Sequence, residues 1–347
     1  MRLLLHIGSP KAGSTALQNW LRANRAALDE QGILAWRGDG AKGDPAGVLA
    51  NRFAPPKRPL LPHERLHFAT RAEATAWSDR IWQDLARDVR AARPALTVLS
   101  SEGLFAVRKA QAVHALLADL FDDITVLVYV RDPAAHYVSA LDQQIRTGVR
   151  LAKLPVPSGF HYPPVETVRN WRKLLGPERV IVRNFAREGL AGGDLATDFL
   201  GQLGALAGHT VTAPEAVPRA NESLCAAATL LLLGMNETFD RFAKGGDGGQ
   251  IRARAALIKR LRAAPELAGM PKLRLSDPAH ADWVRHTHRE AIAFYNDVFD
   301  PDQPPLPQAP EGTVIPDEDD QRARLRGWIE AATDTVDLAA ALRAAYA

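Results

Sequence analysis

Little in this chain could staple or clip it together. Among 347 residues Cys225 is the single cysteine, which excludes an intrachain disulfide framework and a thiolate metal cluster. No set of His, Cys, Asp and Glu has the spacing of zinc ligands. Long apolar runs are absent too: none approaches the ~18 residues of a membrane span, and stable membrane insertion is not expected. The opening M-R-L-L-L-H-I-G has too few apolar residues for the core of a signal peptide. Charge of one sign is also missing. With 43 basic and 40 acidic residues the net charge is +3, which gives no reason to expect a nucleic-acid partner. These absences point to a soluble protein of a reducing, cytoplasmic compartment. No internal repeat is found, and the oligomeric state leaves no trace.

What is present suits a sizeable core, with 46% hydrophobic and 24% charged residues. Four short apolar runs read as buried strands, Leu3–Ile7, Leu96–Ser100, Ile124–Val130 and Val180–Val182, with a shorter fifth at Ile33–Trp36. Helical patterns separate them at Ala16–Gln31, Arg71–Ala92, Ala110–Leu120, Ala134–Thr147 and Val165–Leu175. The alternation predicts an α/β fold with a parallel sheet flanked by helices, followed by a helical C-terminal part. Ligands of such sheets bind beyond the carboxyl ends of the strands. Along the chain we expect an α/β core over 1–225, a helical extension of it over 226–300, a Pro/acid-rich linker over 301–320 and a final helix within 321–347. That last helix would dock through Leu325, Trp328, Ile329, Ala332 and Val336. The Gly/Pro-rich segment 38–65 is either a flap over the site or a plain surface insertion, and Ala243–Gln250 reads as a hinge or loop.

Residues 5–21, L-H-I-G-S-P-K-A-G-S-T-A-L-Q-N-W-L, carry the strongest chemical signal. A strand runs into a glycine-bearing loop and straight on into a helix, so backbone N–H groups and the positive end of the helix dipole face one spot. Lys11 adds a full charge there. A triphosphate-binding loop reads G-x-x-x-x-G-K-[ST], with lysine after the second glycine. Here Lys11 precedes Gly13, Ser14 and Thr15, so the loop suits a phosphate-like group other than the usual nucleoside triphosphate.

A second signal is V-L-V-Y-V-R-D-P-A-A-H-Y-V-S, from residue 126. A strand ends at Arg131, Asp132 is placed to cap a helix, and Pro133 suits its first position. Ser139 falls two turns into that helix. Arg131 can fork onto phosphate oxygens or pair with an acid such as Asp132. Ser139 can offer a hydroxyl or simply pack against the sheet.

Together the two stretches resemble the sulfotransferase family that uses 3′-phosphoadenosine-5′-phosphosulfate (PAPS). P-K-A-G-S-T-A-L is similar to that family's loop for the 5′-phosphosulfate, and V-Y-V-R-D-P with its downstream serine to the 3′-phosphate motif. S-S-E-G-L (100–104), R-V-I-V-R-N-F-A-R-E (179–188) and R-A-N-E-S-L (219–224) are reminiscent of bacterial members. The resemblance spans about residues 1–225 and implies a P-loop-like fold, PAPS as donor and PAP as product; that donor needs no catalytic metal, so none is expected. It implies that Lys11 contacts the sulfuryl group and its bridging oxygen, and that Ala12, Gly13, Ser14 and Thr15 hold the 5′-phosphate. Arg131 and Ser139 would bind the 3′-phosphate. Ser14 stands where the family commonly has threonine; either hydroxyl can donate.

Transfer to a hydroxyl needs a proton acceptor. Glu102, just past the strand that ends at Ser100, is the candidate; capping the next turn or pairing with an arginine is its plain alternative. His6 lies inside the first strand, where a core role is expected, and His136 is expected to be exposed. Arg219, Asn221 and Ser223 are either nucleotide contacts or helix caps. Trp20, Trp171 and Phe185 could stack on adenine but fit the core better. Basic Lys57, Arg58, Arg146, Arg150 and Lys153 hint at an anionic or saccharide acceptor. Two other functions remain open: a P-loop kinase using ATP and Mg²⁺, with Asp132 as the near candidate for metal, and a nucleotide-binding module without catalysis.

Overall fold

A computed structural model describes residues 1–37, 48–61, 64–107, 109–163, 165–214, 224–238, 248–275 and 277–346. Strands and helices alternate through the first two thirds. β1 (Arg2–His6) leads to α1 (Ser14–Ala23), α2 (Arg25–Asp29) and β2 (Ile33–Ala35). Next come α3 (Arg71–Ala92), β3 (Leu96–Ser100), α4 (Glu102–Phe105), α5 (Ala110–Ala118) and β4 (Asp123–Val130). After β4 follow α6 (Pro133–Arg146), α7 (Glu166–Leu175), β5 (Val180–Asn184) and α8 (Leu195–Ala207). The rest is helical: α9 (Ala226–Thr238), α10 (Gly248–Ala263), α11 (Ala279–Thr287), α12 (Arg289–Val298), α13 (Glu318–Asp334) and α14 (Leu338–Tyr346).

All five strands are parallel, in the order β2-β3-β1-β4-β5. The expected α/β class is therefore what the chain adopts. Continuous apolar runs are the sign of strands covered on both faces, and Leu3, Leu4, Leu5, Val126, Leu127 and Val128 are all essentially inaccessible. Two compact units interleave along the chain. The first holds the sheet and comprises Met1–Arg131, Pro163–Asn221 and Ala293–Leu306; the second comprises Asp132–Tyr162, Glu222–Ile292 and Pro307–Ala347.

Strand order fixes where a site can form in the first unit. The connection after β1 runs to β2, on the β3 side of the sheet, whereas the connection after β3 crosses β1 to reach β4. Neighbouring β1 and β3 thus send their following segments in opposite directions, which opens a crevice beyond their carboxyl ends.

Several expectations need correction. The single helix expected over Ala16–Gln31 is two helices, divided at buried Asn24, whose backbone N–H and side-chain Nδ2 both donate to the Trp20 carbonyl at 3.0 Å. The single C-terminal helix is also two: Thr335 ends α13, bonding the Ala332 carbonyl, and Asp337 accepts from the Ala340 N–H in the first turn of the next. Leu325, Trp328 and Ile329 are buried as expected, while Ala332 and Val336 are only half-buried. His136, expected to be exposed, is buried against the rings of Phe160 and Tyr162 at 5.4 and 5.5 Å. Arg146 is not a loose surface cation but pairs with buried Asp142 at 2.9 Å. Residues 38–47 and 62–63 of the 38–65 segment, the cluster Arg219, Asn221 and Ser223, and residues 243–247 lie outside the described residues.

Candidate anion site at the carboxyl edge of the sheet

The loop after β1 is shaped by two glycines that admit no side chain. A Cβ on Gly8 would sit 1.9 Å from Ser14 Oγ. Gly13 has φ of 81°, and a Cβ there would come within 2.7 Å of Leu195 and 2.8 Å of Phe185. L-residues avoid that backbone region. Gly13 is the N-cap of α1 and supplies no side-chain cap, so the first N–H groups of the helix stay available to an external acceptor. Lys11 itself lies at φ 65°. The Ala12 N–H donates to the Ser9 carbonyl at 3.2 Å, closing the turn.

Ser14 is the decisive side chain. It is buried, yet its Oγ has no hydrogen-bond partner among the described residues. An unpaired buried hydroxyl costs free energy unless something completes it. An orphaned donor, an uncapped helix start and a lysine fit an anion such as a phosphate group. Ala12 is buried and Thr15 exposed on the same loop-to-helix segment.

Arg131 follows β4, the strand hydrogen-bonded to β1 on the other flank from β3. Its Nη1 donates to the Lys11 carbonyl at 3.2 Å, so the arginine ties the end of β4 to the loop. Asp132 is not its partner. In the second unit Asp132 accepts from the Ala135 N–H at 3.2 Å, capping α6 as the D-P dipeptide predicts, and from Arg285 at 3.0 and 3.2 Å. Ser139 is half-buried, two turns into that helix.

On the β3 side, Glu102 is exposed at the first position of α4, directly after buried Ser101. The Ser101 N–H donates to the His6 carbonyl at 2.9 Å, which fixes the segment beside β1. His6 is fully buried. Its Nδ1 shares a 2.8 Å hydrogen bond with Ser100 Oγ, and its Nε2 has no partner among the described residues. Burial lowers its pKa to about 3, so the ring is neutral at physiological pH and has the core role expected of it. Trp20 and Trp171 are fully buried core residues, and Phe185 is half-buried over Gly13.

The structure thus gathers Lys11, Ala12, Gly13, Ser14, Thr15 and Arg131 at the carboxyl edge of β1 and β4, with Glu102 following the adjacent strand β3. Among the described residues no group of three or more His, Cys, Asp or Glu could hold a metal ion, and no helix is long and apolar enough to cross a membrane. Sequence reasoning missed three arginines, Arg22, Arg25 and Arg37, that line a pocket near the end of β2. The signals were R-A-N-R at 22–25 and W-R at 36–37, directly past the shortest strand.

No family model and no curated protein matches the chain. Among solved structures it is similar to the crystal structure of a sulfotransferase from Alicyclobacillus acidocaldarius, with 16% identity and a TM-score of 0.39, over 72% of this chain and 98% of that one. The functional reading therefore rests on this chain's own residues.

Proposed function

We propose that the chain is a sulfotransferase that moves a sulfuryl group from PAPS to a hydroxyl or amine of an organic acceptor. One observation carries the reading: Ser14 Oγ is buried without a partner in a glycine-shaped loop whose lysine precedes the second glycine. The donor would supply the sulfuryl group on its 5′-phosphate. Lys11 would neutralise charge that develops on the departing phosphate oxygen, and Ser14, Thr15 and the N–H groups around Ala12 and Gly13 would hold that phosphate. Arg131 and Ser139 would take the 3′-phosphate. Glu102 would accept the proton of the acceptor hydroxyl as the new S–O bond forms. Such in-line transfer depends mainly on positioning and charge stabilisation, and no metal is assigned a part. Kinase chemistry would call on Asp132 for Mg²⁺, but that carboxylate is already engaged by Arg285 and by the start of α6. A cytoplasmic setting belongs to the same proposal.

Melting temperatures with PAP, ADP and ATP–Mg²⁺ test the reading, because a ligand of the folded state raises stability by mass action. PAP should give the largest rise, and Arg131→Ala should remove its advantage over ADP. A rise with ATP–Mg²⁺ alone would sink the proposal. In an acceptor screen read by mass-detected sulfuryl transfer, Lys11→Ala should lower turnover on the order of 10²–10³-fold. Full activity in Glu102→Gln would remove the assigned proton acceptor.

A further inference from the structure

His6 and Ser14 face each other across Gly8. The Cβ position of Gly8 lies 1.9 Å from Ser14 Oγ and 3.4 Å from His6 Cε1, the ring carbon bonded to Nε2. The hydroxyl and that edge of the imidazole are therefore no further apart than those two distances together, and residue 8 puts no side chain between them. His6 is 0% exposed and Ser14 4%. Neither His6 Nε2 nor Ser14 Oγ has a partner among the described residues. The rings packed on His6 offer none: the Tyr129 hydroxyl donates to Asp198 at 2.8 Å, and Phe199, at 6.3 Å, carries no polar atom. Two unfinished groups flanking one glycine are costly apart and complementary together.

The direction of the protons decides what they can do. A hydroxyl has one proton, so Ser14 can give it to an anion in the loop only while its lone pairs take a hydrogen bond from another donor. Burial keeps the His6 ring neutral, and a neutral imidazole has one N–H and one acceptor nitrogen. Its Nδ1 is bonded to Ser100 Oγ at 2.8 Å. With the proton on Nε2, one chain runs outward: the Ser100 hydroxyl donates to Nδ1, Nε2–H donates toward Ser14 Oγ, and the Ser14 hydroxyl donates to the anion. Bonds aligned in this way polarise one another. With the proton on Nδ1 the chain reverses, and the Ser14 proton is drawn to the ring and away from the loop.

We propose that His6 is a positioning residue of the anion site: as the Nε2–H tautomer it donates to Ser14 Oγ, directly or through one water, and so aims the Ser14 proton at an oxyanion held by the loop. Naming that oxyanion as the 5′-phosphate of PAP rests on the sulfotransferase reading; the coupling of His6 to Ser14 requires only an oxyanion. Gly8 acquires a second role beside shaping the turn, since any side chain there would fill the space where the two groups face each other.

Dissociation constants for PAP and for inorganic phosphate are measured by calorimetry on the unaltered protein and on Ser14→Ala, His6→Asn, His6→Gln and the Ser14→Ala/His6→Asn pair. Asparagine keeps a polar group near Nδ1 and leaves nothing at Nε2, whereas glutamine reaches the Nε2 position with an N–H. Ser14→Ala and His6→Asn should each weaken binding roughly tenfold. The double variant should bind no more weakly than Ser14→Ala, because one chain is cut at two points. His6→Gln should bind at least threefold tighter than His6→Asn. In ¹⁵N spectra of the imidazoles, with His6 assigned by its loss in His6→Gln, the ligand-bound ring should carry its proton on Nε2, and that signal should move on ligand addition more than it does in Ser14→Ala. If His6→Asn does not fold, Ser100→Ala, which removes the hydroxyl that favours this tautomer, replaces it in the cycle with the same expectations. Undiminished binding by His6→Asn, losses that add in the double variant, or a ligand-bound ring protonated on Nδ1 overturns the proposal. Coupling seen with phosphate while PAP binds no tighter than phosphate would leave the role of His6 standing and remove PAP. Tight PAP binding indifferent to His6 would do the reverse.

Discussion

Asp198 and His6 are both buried polar side chains of the sheet-bearing unit, with Tyr129 between them, yet their surroundings follow opposite rules. Asp198 accepts hydrogen bonds from Arg183 Nε at 3.0 Å, Arg183 Nη2 at 2.7 Å, the Tyr129 hydroxyl at 2.8 Å and the Ala191 N–H at 3.0 Å. Both its oxygens are satisfied, and burial together with the carboxylate holds the Tyr129 hydroxyl well above its ordinary pKa, hence neutral. His6 packs edge-on to the same Tyr129 ring at 5.8 Å, but on its side two polar atoms, His6 Nε2 and Ser14 Oγ, have no partner among the described residues. The completed cluster holds the β4 and β5 strands to α8. The incomplete one lies beneath the loop that is proposed to bind phosphate. In a low-dielectric interior an unfinished polar group is costly, and an anion bound in the loop, as proposed, would complete Ser14 Oγ.

Three measurements would break or sharpen that contrast. The largest effect is expected from Asp198→Ala, which leaves the Arg183 guanidinium buried without its main partner; chemical denaturation should show a loss of about 3–5 kcal/mol. A loss below 1 kcal/mol would mean that the completed cluster is dispensable. Next is the pH response of His6. The unfolded chain takes a proton near the ordinary 6.5, while the folded state resists it until about 3. Stability from this group is therefore present above pH 6.5 and falls by roughly 1.4 kcal/mol per pH unit as pH drops toward 3. His6→Asn should flatten stability against pH across that window, and an unchanged slope would show that the ring is not held neutral. The smallest effect belongs to Ser14→Ala. Removing an unpaired hydroxyl should leave the free protein unchanged or about 1 kcal/mol more stable, while reducing the stabilisation that PAP confers. A clear loss of stability in the free protein would mean that Ser14 is structural after all.

Much of this architecture can be read from composition alone, for a physical reason. Strands buried on both faces are mainly apolar, so β1, β3 and β4 stand out as short runs dominated by Leu, Val and Ile, and Asp132-Pro133 fixes the start of α6 because capping is local. Most of what escaped depends on contacts between distant residues. The break at Asn24 is a local exception: the apolar periodicity continues past it, while its backbone N–H and side-chain amide share the Trp20 carbonyl. His136 is covered by Phe160 and Tyr162, which lie 24 and 26 positions further on. Arg183 and Asp198 are 15 residues apart, on a strand and a helix, and nothing local says that they meet. Within the site the loop was legible because a strand, glycines and a helix start are consecutive. The Arg22–Arg25–Arg37 pocket was not, since two of its arginines have ordinary surface spacing on α1 and α2 and the third lies past a three-residue strand.

The interleaving of the two units bears on how the chain is made. All five strands have been synthesised by residue 184, but the sheet-bearing unit also needs Ala293–Leu306. From that late segment Gln303 Oε1 accepts from the Asn184 N–H at 2.8 Å, and the Pro304 carbonyl accepts from Asn184 Nδ2 at 2.9 Å, at the end of edge strand β5. On the ribosome, the last strand therefore waits more than a hundred residues for the atoms that finish it. A nascent chain stopped near residue 225 would hold the five described strands and an open edge, the condition in which sheets pair with other chains.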